Sequence, residues 1–303
     1  MKLFYYKDRS GNFGDDLNPL IWYSLYPELF TAKDNDETIV GIGTLINDRA
    51  PQSGKLHVLG SGVGYHGKAA INDRWNVVFV RGPQSAKAMG LDTTFAATDP
   101  AILISKIYKP AVSEALRNEV TFMPHHASTH FANWEEICAA AGITYLNPAA
   151  DIHETIHKIR NSKLVLAEAM HAAIVADALR VPWIPIKAYP HILDFKWIDW
   201  CESMELPYEP VLLPTLWDTQ QFHSKKDIMK SKIKRSLLLM GATGKRWTPP
   251  LPENNKKTHL PGVLRQLKIL SPSNSFLSRD TTHEKRAKEI HERIGEFINT
   301  QNY

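Results

Sequence analysis

Short apolar runs alternate with helical stretches of about ten residues through the middle of the chain, and this alternation constrains the fold more than any other feature. It is clearest over residues 162–185. There an apolar run at 164–166 passes through Glu168, Ala169 and Met170 into an alanine-rich helix starting at His171, then returns to an apolar run at 183–186. Strand, helix and strand in that order form a right-handed βαβ unit, and such units build parallel sheets. Open parallel sheets bind ligands beyond the carboxyl ends of their strands. His171 stands at such an end and is the first candidate functional residue; a hydrogen-bonded histidine at a helix start is the plainer alternative.

Around this unit, residues 120–123 and 144–146 read as strands, and 134–141 and 152–160 as helices. Nearer the start, residues 3–6, 38–43, 55–60 and 76–80 have the composition of buried parallel strands, with helices over 17–25 and 85–89. The expected fold class is therefore α/β: two Rossmann-like parallel-sheet domains in a GT-B-like arrangement, a cleft between them, and a C-terminal helical extension. The expected boundaries are residues 1–115, 116–222 and 223–303. Residues 241–280, rich in Pro, Gly, Ser and Asn, read as an irregular linker. Residues 281–298 read as a helix that docks through Ile290, Ile294, Phe297 and Ile298.

Charge is uneven. The chain carries a net charge of +4, yet residues 225–303 hold 17 Lys+Arg against 7 Asp+Glu. Such a tail suits an anionic membrane surface or a phosphate-bearing ligand, or is a solvated surface; no nucleic-acid partner is expected. Cys138 and Cys201 are too few for a disulfide framework. With no apolar leader and no apolar run of membrane-spanning length, a cytoplasmic location is expected, peripheral at most.

Four motifs bear on chemistry. His153-Glu154-Thr155-Ile156-His157 has the zinc-protease spacing, but Ile152, Ile156 and Ile159 form that helix's apolar stripe and no third ligand is evident, so a solvated helix face and no metal are expected. Glycines 60, 62, 64 and 67 resemble a phosphate loop but lack the dinucleotide spacing and fit a tight turn better. Arg81 closes an apolar strand before a helix that Ser85 helps cap, where a planar guanidinium suits a phosphate or carboxylate, or else pairs with a carboxylate of the protein. His125 and His126 follow a strand and precede a helix, a place that attracts anions.

Taken together, Asn12, Gly14 and Asp15 after the first strand, Arg81 with Ser85, Asp99-Pro100, Glu168-Ala169-Met170-His171 before an alanine-rich helix and Val181-Pro182, and Lys196 after Tyr189 resemble the polysaccharide pyruvyl transferase family over about residues 8–200. One position departs: the family's arginine two residues before the histidine is Ala169. The resemblance implies phosphoenolpyruvate as donor and a lipid-linked oligosaccharide as acceptor, with no cofactor and no metal. It implies His171 and Asp15 as catalytic groups and Arg81, Ser85, Lys196, His125, His126, Asn12 and Glu168 as substrate-binding groups. The basic tail would then rest on an anionic leaflet. Fold alone leaves two other classes open, a GT-B glycosyltransferase using a nucleotide sugar and a non-catalytic sugar-binding protein.

Overall fold

A computed structural model describes residues 1–31, 36–64, 71–110, 117–242, 244 and 247–301; Gly67 and the expected boundary at 115/116 lie outside the described residues. Two parallel sheets carry the fold. The first holds β1 (Lys2–Phe4), β2 (Glu37–Val40), β3 (Lys55–Leu59) and β4 (Trp75–Phe79) in that order. The second holds β5 (Glu119–Met123), β6 (Thr144–Tyr145), β7 (Ser162–Ala167), β8 (Trp183–Lys187) and β9 (Val211–Leu212) in the order β6-β5-β7-β8-β9. The helices are α1 (Phe13–Leu25), α2 (Pro83–Met89), α3 (Ile104–Ile107), α4 (Trp134–Ala141), α5 (Ile152–Arg160), α6 (Met170–Ala178), α7 (Asp194–Ser203), α8 (Thr219–Phe222), α9 (Lys225–Leu239), α10 (Lys256–Ile269) and α11 (Asp280–Gln301).

In the second sheet the chain steps from β5 to β6 on one side, then crosses over β5 to continue through β7, β8 and β9 on the other. Right-handed crossovers therefore put α4 on one face and α5, α6 and α7 on the opposite one. The cores agree. Phe122, Leu164, Leu166, Ile184 and Ile186 pack with Trp134, Ile137 and Cys138 of α4, whereas Met123, Val165, Ala167 and Trp183 pack with Ile156, Ile159, Trp197 and Trp200. The reversal of strand order between β5 and β7 is a topological switch point, the place in an open sheet where a crevice forms.

The first sheet departs from the Rossmann-like expectation. Its strand order never reverses, and among the described residues α1 is the one helix crossing between its strands. What binds the two sheets is shared core: Phe13, Leu17 and Ile21 of α1 lie in one cluster with Ala172, Ala173 and Ile174 of α6.

Two other expectations are corrected. Helix α1 begins at Phe13, not at residue 17, because Asn12 caps it by accepting the Gly14 N–H at 3.2 Å; Asp15 thus belongs to the first turn. Pro19 inside α1 leaves the Asp15 carbonyl without its helical donor, and the buried Asn18 amide supplies one at 3.1 Å while also bonding the Ile42 carbonyl. Within the supposed linker, α10 forms despite Pro261, because Val263 and Leu267 are buried against the α4 face of the sheet. The tail helix docks as expected: Ile290, Ile294 and Phe297 of α11 are buried, each contributing roughly 1.5–3 kcal/mol of apolar burial.

Candidate active site at the carboxyl ends of both sheets

A cavity of about 500 Å³ opens where the carboxyl ends of the two sheets meet. From the first sheet come Phe4 at the end of β1 with Tyr5, Tyr6 and Lys7 after it, the start of α1 with Asn12, Gly14 and Asp15, and the loop after β2 with Thr44, Asn47 and Arg49. From the second come His125 and His126 after β5, Ala169, Met170 and His171 after β7, and Lys196 on α7. The ends of β5 and β7 are the two sides of the switch point, so the second sheet contributes at the position its topology dictates.

Two helices aim their N-termini into this space. Gly14 and Asp15 open α1, and Met170 and His171 open α6, whose cap residue Ala169 offers no side-chain acceptor. The first N–H groups of α6 therefore remain for other partners, and two positive helix ends face one cavity. His171 Nε2 lies 3.5 Å from the carboxylate of Asp99, a fully buried residue that also caps the turn after it through the Ala101 N–H. The other edge of the ring rests on Gly14: a Cβ there would sit 2.2 Å from Nδ1, so the close approach requires glycine.

Burial sets the electrostatics. Asp15 is pushed up to about 7, chiefly by desolvation, with His171 and Lys196 opposing the rise. Lys196 is lowered to about 8, again chiefly by desolvation and next by Arg81, while Asp15 and Glu168 hold it up. His125 falls well below its ordinary value through desolvation and the Lys196 charge, so its ring is neutral, and Nδ1 accepts the Ala127 N–H at 3.2 Å. His126 reaches across to the first sheet's side, with Nε2 3.3 Å from Ser10 Oγ and 3.9 Å from the Asp8 carboxylate.

Of the residues singled out from sequence, His171, Asp15, Lys196, His125, His126 and Asn12 line the cavity, whereas Arg81, Ser85 and Glu168 do not. Arg81 is fully buried, its Nε on Asp199 at 2.9 Å and its Nη2 on the Val63 carbonyl at 3.1 Å; its Nη1 lies 3.4 Å from the hydroxyl of Thr44 in the cavity wall. The same Asp199 carboxylate accepts the Ser85 N–H and hydroxyl at 2.8 and 2.6 Å. Arg81 and Ser85 thus clamp β4 and α2 to α7, and the glycine run serves them: a Cβ on Gly62 would lie 2.4 Å from the guanidinium carbon. Glu168, also buried, accepts the backbone N–H of His125 at 2.9 Å and of Ala188 at 3.0 Å, which makes it a positioning residue for the 125–126 loop. Desolvation raises its pKa.

Sequence reasoning missed Tyr5, Tyr6, Lys7, Thr44, Asn47 and Arg49. The strand expected over residues 3–6 ends at Phe4, which frees Tyr5 and Tyr6 to line the cavity, where Arg49 lies 5.9 Å over the Tyr6 ring and Lys7 5.1 Å over Tyr5. The zinc-like motif sits on α5, where Thr155, Ile156 and Ile159 are buried, His153 bonds the Tyr108 hydroxyl and His157 meets the Tyr108 ring edge-on. No set of three or more metal-ligating side chains converges among the described residues.

This geometry defines an α/β protein with a cation-bearing cavity at the ends of two parallel sheets. The family follows from comparison: residues 4–187 match the profile of the Polysaccharide pyruvyl transferase family, and the chain belongs to that family. It is similar to the Succinoglycan biosynthesis protein ExoV of Rhizobium meliloti (strain 1021), with 36% identity over 219 residues, covering 71% of this chain and 68% of the relative. No solved structure matches the chain.

Proposed function

We propose that the chain transfers the pyruvyl group of phosphoenolpyruvate to two hydroxyls of one sugar in an exopolysaccharide repeat unit, forming a ketal and releasing phosphate. The observation that carries this reading is the meeting of His171, Asp15 and Lys196 in one cavity under two helix N-termini. A donor with a phosphate and a carboxylate needs that much positive potential in a small space.

The reaction moves protons at each step. His171 donates one to the methylene carbon of the donor, leaving an oxocarbenium-like centre at C2. An acceptor hydroxyl attacks that centre and gives its proton to Asp15, whose raised pKa suits a base working near neutrality. Phosphate then departs, a second hydroxyl closes the ketal, and its proton leaves with the phosphate. Lys196 and the α1 and α6 N-termini hold the donor anion. They stand where the family arginine is replaced by Ala169, which lines the cavity without a charge. Arg81 supports this charge from behind the wall, at a distance from which it lowers the Lys196 pKa. Tyr5 and Tyr6 at the rim, with Asn47 and Arg49, offer the acceptor sugar a stacking surface and polar contacts.

In this reading the two sheets are the lobes of a GT-B-like arrangement divided as residues 1–115, 116–222 and 223–303, and the acceptor is lipid-linked, met at the cytoplasmic face of the membrane. The deciding experiment is incubation with phosphoenolpyruvate and candidate oligosaccharides. Phosphate release matched mole for mole by a pyruvyl mass gain on the sugar is expected. Absence of the gain with every acceptor, together with thermal stabilisation by nucleoside diphosphates rather than by phosphoenolpyruvate, would replace this reading with the glycosyltransferase one.

A further inference from the structure

Helix α9 leaves most of its apolar residues uncovered: Ile228 lines a cleft, while the others, Leu238 and Leu239 among them, are exposed. Ser231 is its buried residue, and Ile228, Ser231, Lys232 and Arg235 line a cleft against residues 251–258, where Arg235 also pairs with Glu253 at 2.6 Å. At 3.6 residues per turn, the side opposite Ser231 carries Met229, Ile233 and Met240, with Leu237 beside them. These side chains are 66%, 52%, 74% and 38% exposed. A helix that merely covers a domain points such residues inward. The ridge is bracketed by charge: Lys225 and Lys232 fall along one edge, Lys226 and Lys230 along the other. The helix's acidic residue, Asp227, is engaged at the N-cap by Ser224.

Lysine decides what covers the ridge. It is depleted at protein–protein interfaces, where it must be desolvated, but favoured beside lipid phosphates, where its stem lies on apolar surface and its ammonium reaches the headgroups. The ridge runs for about 16 Å in the helix direction. No helix among the described residues is long and apolar enough to cross a membrane, so attachment through this face is in-plane. We propose that α9 lies on an anionic lipid bilayer, with Met229, Ile233, Leu237 and Met240 in the headgroup region and Lys225, Lys226, Lys230 and Lys232 on lipid phosphates. This gives the lipid-borne acceptor of the proposed reaction its surface, yet it rests on exposure and charge alone, so either reading can fail without the other.

The test is co-sedimentation of the full chain with vesicles of phosphatidylcholine alone and of phosphatidylcholine mixed with phosphatidylglycerol. Binding to the anionic vesicles, weakened by salt, is expected, with little binding to the neutral ones. Changing the four lysines to glutamine lowers partitioning about fivefold per residue. The double variant Met229→Ser, Ile233→Ser lowers it about a hundredfold, since each loses a buried apolar side chain. These positions are exposed, so the variants keep their melting temperature and their turnover of a short soluble acceptor. The proposal is overturned if the wild-type chain ignores anionic vesicles, or if the double apolar variant binds them as the wild type does. Self-association that this variant abolishes, without any vesicle binding, assigns the ridge to a second copy and equally overturns it.

Discussion

The two walls of the cavity are built differently. On the second sheet's side the groups are fixed before any ligand arrives: Glu168 holds the 125–126 loop by two backbone bonds in the protein interior, and Lys196 is almost wholly buried on α7. On the first sheet's side, Tyr6 is 47% exposed and Arg49 is exposed beside it, although Leu45, Ile46, Asn47 and Ala50 bury the loop that carries Arg49. Fixed dipoles and charges need no reorganisation when charge develops, which suits a small donor that is the same in every turnover. Aromatic rims with exposed cations suit a larger sugar held by stacking and replaceable hydrogen bonds. The difference teaches which wall to disturb for chemistry and which for acceptor choice.

The strongest way to break the comparison is on the fixed wall. His171→Gln removes the proposed proton carrier while leaving a side chain of similar length, and kcat is expected to fall about 10³-fold with the melting temperature nearly unchanged. Arg81→Ala is expected to behave in the opposite sense. It leaves Asp199 buried without its partner, a loss of about 3–5 kcal/mol in stability. Chemical denaturation and steady-state kinetics on the two variants check this. An Arg81→Ala chain of wild-type stability with lost donor binding would return Arg81 to the site.

A smaller effect sharpens the role of burial. Under the proposed reaction Asp15, raised to about 7, acts as a base only when deprotonated, so kcat/KM is expected to rise with pH through that value. Under the same proposal Lys196, lowered to about 8, binds the donor only when charged, so activity is expected to fall above it. The profile is a narrow bell, and two units below the lower limb the rate is about a hundredfold down. The stability side has a definite sign. A depressed folded pKa means that the lysine's contribution is favourable above its unfolded value and is lost as pH falls through about 8. Lys196→Met is expected to abolish donor binding and to remove this pH dependence of stability through about 8, which chemical denaturation at pH 7 and pH 10 checks. A variant that keeps the dependence would assign it to another group.

As far as β8, the order of strands and helices was legible because periodicity and turn residues are local; α7 and β9 beyond it were not read. Helices α4 and α5 have their expected bounds, and the strand-end rule put His171 in the cavity. Helix α10 was hidden by Pro261-Gly262, although Leu260, Val263, Leu264 and Leu267 keep helical spacing; tertiary burial overrode the local breakers. Arg81 shows a deeper limit. An arginine at a strand end is rightly read as needing an anion, but its anion is Asp199, 118 positions away, and no local pattern announces a partner so remote. The tyrosines at the rim escaped for a related reason: half-exposed loop residues obey no period, and only the fold shows that they face His171 across one space.

The smallest expected effect falls on the adaptable wall. Tyr6→Ala removes a stacking face that carries about 0.5–1.5 kcal/mol beyond simple burial, so the acceptor KM rises by about tenfold at most while kcat and the donor KM stay near wild type. Tyr6→Phe keeps the ring and restores acceptor binding, which separates stacking from any role of the hydroxyl. Measured with two acceptors that differ in the sugar, the Tyr6→Ala variant changes their relative kcat/KM, whereas His171→Gln lowers both alike. If Tyr6→Ala instead lowers kcat as far as His171→Gln does, the rim takes part in the chemistry, and the division between a fixed donor wall and an adaptable acceptor wall is lost.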